Sequence, residues 1–413
     1  MNKTMREDAD AIIAASIRAV QPDAAVRRAL AGHDFSGAGR IVLVAAGKAA
    51  WQMAKAARDC LGSRIDAGVV ITKYGHSKGP LGNLILCEAG HPVPDENSFA
   101  STKRAMDLVR GLRAEDVVLF LLSGGGSALF ESPRIAPEAL RDITAQLLAS
   151  GADIVEMNTV RKRLSAVKGG RFAELCAPAQ VFSVVLSDII GDPLDMIASG
   201  PACPDTSTCT QAQAVADKYN LRLDAAARAC LAEETPKKLG NVVTEVTGSV
   251  RELCAAAAEA CSVLGYAPLI LTDRLCCEAR EAGSFLASVL ATHAADGRSA
   301  AFIAGGETVV HLTGKGMGGR NQEIALAAAP GIAGMAGAAV FSVGSDGTDG
   351  PTDAAGGFAD GNTQEVLHTQ GIDVFLTLAD NDAYHALKAC GGLIVTGPTG
   401  TNVNDVAVAL LRE

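Results

Sequence analysis

Residues 117–130 read VVLFLLSGGGSALF: six consecutive apolar residues that stop at Ser123 and three successive glycines. An uninterrupted apolar run bounded by glycine predicts a strand buried on both faces, as in the interior of a parallel sheet. Ser123, Gly124, Gly125, Gly126 and Ser127 then form the turn into a helix. With no Cβ at the three glycines, the backbone can close on an anionic group, and N–H groups at the helix start can point at it. The stretch is either a phosphate cradle or a tight strand-to-helix turn with no ligand, and residues elsewhere must decide.

The pattern recurs on both sides of that strand. Residues 40–46, RIVLVAA, predict another buried strand, followed by Gly47, Lys48 and a helix through Trp51, Met53 and Ala57. Lys48 thus sits at a strand's carboxyl end, where open α/β sheets place their ligands, as a phosphate-binding point charge or a solvated loop lysine. Further strands are expected at 67–72, 84–88 and 180–186, with helices over 4–32, 98–113 and 137–150. His91, in a loop with two prolines, is either structural or a substrate contact. A chain of 413 residues, 48% hydrophobic, only 4% aromatic and with 44 glycines, suits two layered α/β domains better than a β-sandwich.

The formal charge of −10 argues against a nucleic-acid or anionic-membrane partner. The eleven cysteines include no CxxC or zinc-finger spacing, which fits reduced thiols. No leader-like segment or long uncharged apolar run appears, so a cytoplasmic protein is expected. Against the acidic background, residues 158–171, NTVRKRLSAVKGGR, concentrate cations. On a helix Arg161, Ser165 and Lys168 would share one face, as a clamp for a carboxylate or phosphate or as a solvated surface. Asp188 and Asp192, four apart after a strand, can hold Mg²⁺ or stabilise a turn.

The polar breaker at 235–240 places a domain boundary there, giving domains 1–236 and 237–413. Strands are expected in the second half at 242–246, 268–272, 300–304, 338–343 and 393–396, with a hairpin or strand pair around Glu307 and a closing helix after residue 405. Gly314, Gly316 and Gly319 make a formal GxGxxG match between a strand and a helix, the form of a dinucleotide fingerprint, although Asp346 arrives later than the usual acidic partner. Asp346, Asp349 and Asp353 form an acidic glycine-rich loop that either is solvated or orders water, metal or substrate hydroxyls.

Taken in order, SGGGSAL at 123–129, NTVRKRLSAVKGGR at 158–171, LSDIIGDP at 186–193, SGP at 199–201, GGET at 305–308, GMGGRNQE at 316–323, SDGTDGPTDAAG at 345–356 and GPTGTNVND at 397–405 resemble the glycerate 2-kinase family, whose members carry a C-terminal MOFRL domain and are often labelled hydroxypyruvate reductase. The resemblance implies a larger N-terminal Rossmann-like α/β domain and a smaller C-terminal one, with the active site in the cleft between. It also implies ATP-dependent, Mg²⁺-assisted phosphorylation of the 2-hydroxyl of D-glycerate.

Carried over by motif, Lys48 and Arg320 would be the catalytic cations, and Asp188 a metal or active-site carboxylate. In the bottom-up chemistry, residues 123–127 and Glu307 would serve nucleotide phosphate, Arg161 or Lys168 the substrate carboxylate, Asp346 or Asp349 the attacking hydroxyl, and Asp188 with Asp192 the Mg²⁺. Two alternatives stand beside this reading: an NAD(P)H-dependent hydroxypyruvate reductase, and a non-catalytic sensor of sugar acids. The acid substrate and oligomeric state are left open by the sequence.

Overall fold

The structure, a computed structural model, describes residues 1–413 and divides the chain into two compact units. One comprises Pro22–Ser187 and Asp192–Thr247, the other Met1–Gln21, Asp188–Gly191 and Gly248–Glu413. The first unit is built on a sheet whose strands are, along the chain, β1 (Ile41–Ala46), β2 (Ile65–Lys73), β3 (Leu84–Ala89), β4 (Val117–Leu122), β5 (Gln180–Leu186) and β6 (Val242–Gly248). Their order across the sheet is β3-β2-β1-β4-β5-β6.

From β3 to β5 every pairing is parallel. β1 and β4 are buried at all six positions each and run in register, Ile41 beside Val117 through Ala46 beside Leu122. Leu43, Ala45, Leu119 and Leu121 pack with Met53, Ala54 and Ala57 of the helix Ala50–Leu61. Fully burying a Val or Leu contributes about 1.5–3 kcal/mol, so this central pair is costly to shift. Strand order reverses at this seam, with β2 and β3 to one side of β1 and β5 to the other side of β4. The reversal makes the carboxyl ends of β1 and β4 a topological switch point, where doubly wound sheets bind ligands.

The second unit holds β7 (Ala267–Leu275), β8 (Ala300–Gly306), β9 (Ala338–Gly344), β10 (Gly356–Asp360), β11 (Leu393–Ile394) and β12 (Asp405–Leu411), in the order β11-β10-β9-β12-β8-β7. β7 and β8 are parallel and the remaining pairs antiparallel. The expected closing helix is instead the strand β12, which is buried at all seven positions between β8 and β9. Its sequence, DVAVALL, is apolar after the first residue, and such a run has no periodicity to separate strand from helix. The expected hairpin near Glu307 is absent: β8 ends at Gly306, and Val309 makes only an isolated parallel bridge with Glu278.

The division of the chain also differs from a cut at 236. The helix Lys3–Ala19 buries Met5, Ile12, Ile13 and Ile17 in one core with Leu253, Phe341 and Val408, so the N-terminus belongs to the second unit. Beyond the breaker at 235–240 the chain first completes the sheet of the first unit with β6. No helix is long and apolar enough to cross a membrane.

Candidate active site

At the switch point the two strand ends touch. Gly47 has φ 130°, and a Cβ there would lie 2.2 Å from Ser123 Oγ and 2.5 Å from the Ser123 carbonyl oxygen. Both the conformation and the approach therefore demand glycine. The Lys48 N–H donates to the Gly124 carbonyl at 2.9 Å, and the Ala49 N–H to Ser123 Oγ at 3.1 Å. The Lys48 carbonyl accepts from Thr72 Oγ1 at 3.2 Å, with His76 Nδ1 also 3.2 Å away. The backbone at Lys48 is thus fixed from two sides, while its side chain is exposed. Gly125 has φ 87°, and the site of a Cβ on it lies 3.1 Å from His91 Nε2 and 3.3 Å from Lys48 Cγ.

After the glycines the short helix Gly126–Leu129 runs into a buried aromatic cluster. The rings of Phe120, Phe130 and Phe172 have centroids 4.7–5.5 Å apart, each pair worth about 0.5–1.5 kcal/mol beyond its buried area. Ser127 Oγ lies 3.2 Å from Ser199 Oγ, which in turn donates to Asn158 Oδ1 at 2.9 Å. Ala198, Ser199 and Gly200 have φ of 51°, 61° and 67°, a left-handed run that costs about 1–3 kcal/mol at each non-glycine residue. Backbone bonds from Gly169 to the Ser199 carbonyl (3.0 Å) and from Gly170 to the Gly200 carbonyl (2.7 Å) hold it.

The basic segment departs from the single helical face expected. The helix Ile154–Leu164 stops one residue before Ser165, whose backbone is extended, so Lys168 lies in the following turn. Lys168 is fully buried and pairs with Glu131 at 3.3 Å. It also donates to the carbonyls of Ser127 (2.8 Å) and Phe130 (3.1 Å), bracing the far end of the glycine turn. Burial pushes its ammonium down to about 8 against the pull of Glu131. Its ammonium is therefore taken up by Glu131 and two backbone carbonyls as a support beneath the turn. Arg161 is half-buried, donates weakly to the Ser127 carbonyl at 3.4 Å, and has an Nε that is buried without a partner.

In the second unit Arg320 begins the helix Arg320–Ala328. Its guanidinium is bidentate on Asp405, with Nη2 to Oδ1 at 3.0 Å and Nε to Oδ2, and Nη1 reaches Glu307 at 2.8 Å. Burial works against its charge, but Asp405 and Glu307 outweigh burial and push its pKa above the ordinary arginine value. Asn404 Nδ2 donates to both Glu307 Oε2 and the Asp188 carbonyl at 3.2 Å, tying the 188–191 segment to the same network. Arg320 is one-third exposed and Glu307 about half, so both keep a face toward solvent.

Asp349, expected to orient substrate, is turned inward. Its two carboxylate oxygens accept the N–H groups of Asn321 (3.1 Å) and Gln322 (2.9 Å) at the start of the Arg320 helix, and both of these side chains as well. The nearby Gly319 has no room for a side chain, since its Cβ would stand 2.3 Å from Asp349 Cγ. Asp349 therefore fixes the first turn of the helix that Arg320 opens, with both of its oxygens engaged there. Asp346 is half-buried, and its Oδ1 accepts from Thr348 N–H (2.9 Å) and Oγ1 (3.0 Å).

Burial pushes the Asp349 carboxyl up to about 6 despite the N–H groups around it, with Asp405 adding to the rise. The folded chain thus holds this proton more tightly than the unfolded chain, whose carboxyl titrates near 3.8. Stability contributed by the neutral acid should be lost as pH rises from about 4 to about 6, with a slope of at most about 1.4 kcal/mol per pH unit. D349N should lack that component, so the stability gap between the two proteins should move in favour of the variant over this window. Urea unfolding from pH 4 to 7 measures it, and parallel curves would remove the assignment.

For a cation, the structure offers few carboxylates. No group of three or more His, Cys, Asp or Glu side chains is placed to hold a metal. Asp192, with φ 52°, has a buried Oδ1 without a hydrogen-bond partner, an arrangement that needs a donor or a cation. Such a sparse set fits Mg²⁺, which takes one or two carboxylates and completes its shell with water and phosphate.

The family described as "Domain of unknown function (DUF4147)" matches residues 8–232, and the MOFRL family matches residues 300–405. The chain is 50% identical to a Thermotoga maritima protein named D-glycerate 2-kinase, with 99% of each covered. The crystal structure of a glycerate kinase from the same organism matches with a TM-score of 0.94, over 99% of this chain and 100% of that one, at 50% identity. The chain belongs to the glycerate 2-kinase family. A further relative, from Agrobacterium vitis, is 40% identical over 90% of this chain and 87% of its own length and is named a putative hydroxypyruvate reductase.

The glycines that suggested a dinucleotide fingerprint have another purpose in this glycerate 2-kinase family member. A Cβ on Gly314 would stand 2.2 Å from Asp380 Cα, and one on Gly316 would stand 2.4 Å from Asp382 Cβ. These glycines pack against the protein's own chain at Asp380 and Asp382, which leaves no room there for a pyrophosphate. Two features of the site carried no role in the sequence reading. Asn158 and Ser199 stand inside quoted motifs, but nothing local shows that they meet at Ser127. Asp405 and Asn404 read as an ordinary polar turn, yet they anchor Arg320 and Glu307.

Proposed function

We propose that this chain transfers the γ-phosphoryl group of ATP to the 2-hydroxyl of D-glycerate, giving 2-phosphoglycerate and ADP. The observation that carries the reading is the exposed Lys48 side chain beside a glycine turn at the switch point between β1 and β4. The full-length likeness to a protein named D-glycerate 2-kinase narrows the acceptor.

In this reaction the 2-hydroxyl oxygen forms a bond to the γ-phosphorus, the bond from that phosphorus to the β-bridging oxygen breaks, and the hydroxyl proton is released. Charge spreads over the transferring oxygens, and the protein's task is to cancel it and hold the partners in line. Lys48 cancels charge as a mobile ammonium, and the backbone of Ser123–Ser127 receives phosphate oxygens. In the second unit Arg320, the other cation that the family motif offers, is kept charged by Asp405, with Glu307 fixing its outer nitrogen. Arg161, with its unpartnered Nε, takes the glycerate carboxylate, and Asp346 orients the hydroxyl. Asp188 and Asp192 would hold Mg²⁺, which supplies further neutralisation of phosphate charge when bound.

A coupled assay tests the reading. ADP release should require D-glycerate, and phosphorus NMR of the product should place the phosphate on C2. NADH oxidation with hydroxypyruvate, without ADP formation from glycerate, would replace the kinase by the reductase.

A further inference from the structure

His91 stands apart from the other histidines. It is half-buried, and its Nε2 and Cδ2 face the Gly125 backbone, 3.1 and 3.0 Å from where a Cβ would be. Neither ring nitrogen has a hydrogen-bond partner in the protein. Its loop is braced: Asp95 accepts from Gly90 and from Ser98 backbone N–H groups and from Tyr74 Oη. The ring is thus held against the glycine turn.

The charges around it have one sign. Lys48 from the β1 turn, and Lys73 and His76 from the end of β2, are the ionisable groups that act on the ring. The acids that flank its loop in the chain are engaged elsewhere, Glu88 by the Ser77 N–H at 3.0 Å and Asp95 by its cap and by Tyr74. Burial, with Lys48, Lys73 and His76 adding to it, holds the His91 pKa below the ordinary histidine value. An anion at this spot would reverse those terms, since it pairs with the cations and favours a protonated ring.

We propose that His91 is a phosphate ligand: with Lys48 and the 124–126 turn it receives a phosphoryl group, and its ring takes up a proton as that anion arrives. The inference rests on the kinase reading for its ligand, and two molecules carry the required chemistry: the nucleotide and the phosphorylated acid. Protonation lets Nε2 and Nδ1 both donate, so the ring adds a charge-assisted hydrogen bond only when phosphate is present.

Ring titration of His91 by NMR in the full chain, assigned by the signal that H91Q removes from the seven histidines, tests this directly. With ADP or with 2-phosphoglycerate the His91 midpoint should rise by roughly 1 pH unit or more, and the ligand that moves it names the source. ADP or 2-phosphoglycerate affinity of the wild type should then weaken about tenfold per unit of that rise as pH climbs through the window between free and bound midpoints. H91Q should lose this dependence. A midpoint unmoved by either ligand, or an unchanged pH dependence in H91Q, overturns the proposal. The two readings fail separately: a moved midpoint without ADP release from glycerate sinks the kinase and leaves the phosphate ligand, and glycerate-dependent ADP release with an unmoved midpoint does the reverse.

Discussion

Replacing Lys48 by alanine is expected to lower kcat by roughly 10²- to 10³-fold, the range seen when one preorganised group that stabilises transition-state charge is removed. The fold should not suffer, because what Lys48 contributes to structure is its backbone: the N–H to the Gly124 carbonyl and the carbonyl to Thr72 remain in the variant. Its side chain is exposed, so no buried packing is lost. Lys48→Arg should recover only part of the rate, since a planar fork cannot follow a moving phosphoryl group as a compact ammonium does. KM for glycerate should change far less than kcat, because the interaction is made mainly in the transition state. Steady-state kinetics with an unfolding curve on the same preparation settle it. A loss of less than tenfold in a normally folded variant removes Lys48 from the chemistry.

The residues at this seam were legible because the signals are local. An unbroken apolar run ending in glycines states burial and a turn in one stretch, and both β1 and β4 carry it. Partnership across the fold is not local. Lys168 reads as one more cation in a basic segment, yet Glu131 and two backbone carbonyls far along the chain decide that it is a buried brace. Asp349 reads as a free acid in a glycine loop, while its position at the start of the Arg320 helix is set by β9 and the chain beyond it. The helix Lys3–Ala19 shows an apolar face but not which sheet that face will cover. In each case periodicity reports that a group is buried, and topology alone reports against what.

Asp205→Ala is expected to cost about 3–5 kcal/mol of folding stability, the loss that follows when one partner of a buried ion cluster is removed and the others stay behind. The Asp205 side chain is fully buried between Lys162 Nζ at 3.1 Å and Arg163 Nη1 at 3.7 Å, and both cations are themselves almost wholly buried. Its oxygens also accept from Thr235 Oγ1 (2.7 Å) and the Ser207 N–H (3.0 Å). Burial alone would raise its pKa, but Thr235, Lys162 and Ser207 together hold it below the ordinary aspartate value. The contribution is therefore complete at neutral pH and fades only as pH falls below about 3.8. Without the carboxylate, Lys162 retains Asp195 at 3.2 Å and Arg163 retains Glu234 at 3.2 Å, both partly exposed to water and so weaker anchors.

The exposed pair Lys103 and Asp107 gives the contrast, with Lys103→Ala expected to cost less than about 0.5 kcal/mol. The cluster also bears on the site: it clasps the helix carrying Asn158 and Arg161 to the loop that leads from Ser199 to Ser207. Asp205→Ala should thus lose the Asn158–Ser199–Ser127 alignment before it loses β1 and β4, and activity should fail at lower urea than the far-ultraviolet circular dichroism does. A variant whose stability falls by less than about 1 kcal/mol would show that Lys162 and Arg163 find other partners, and would separate this clasp from the stability of the unit.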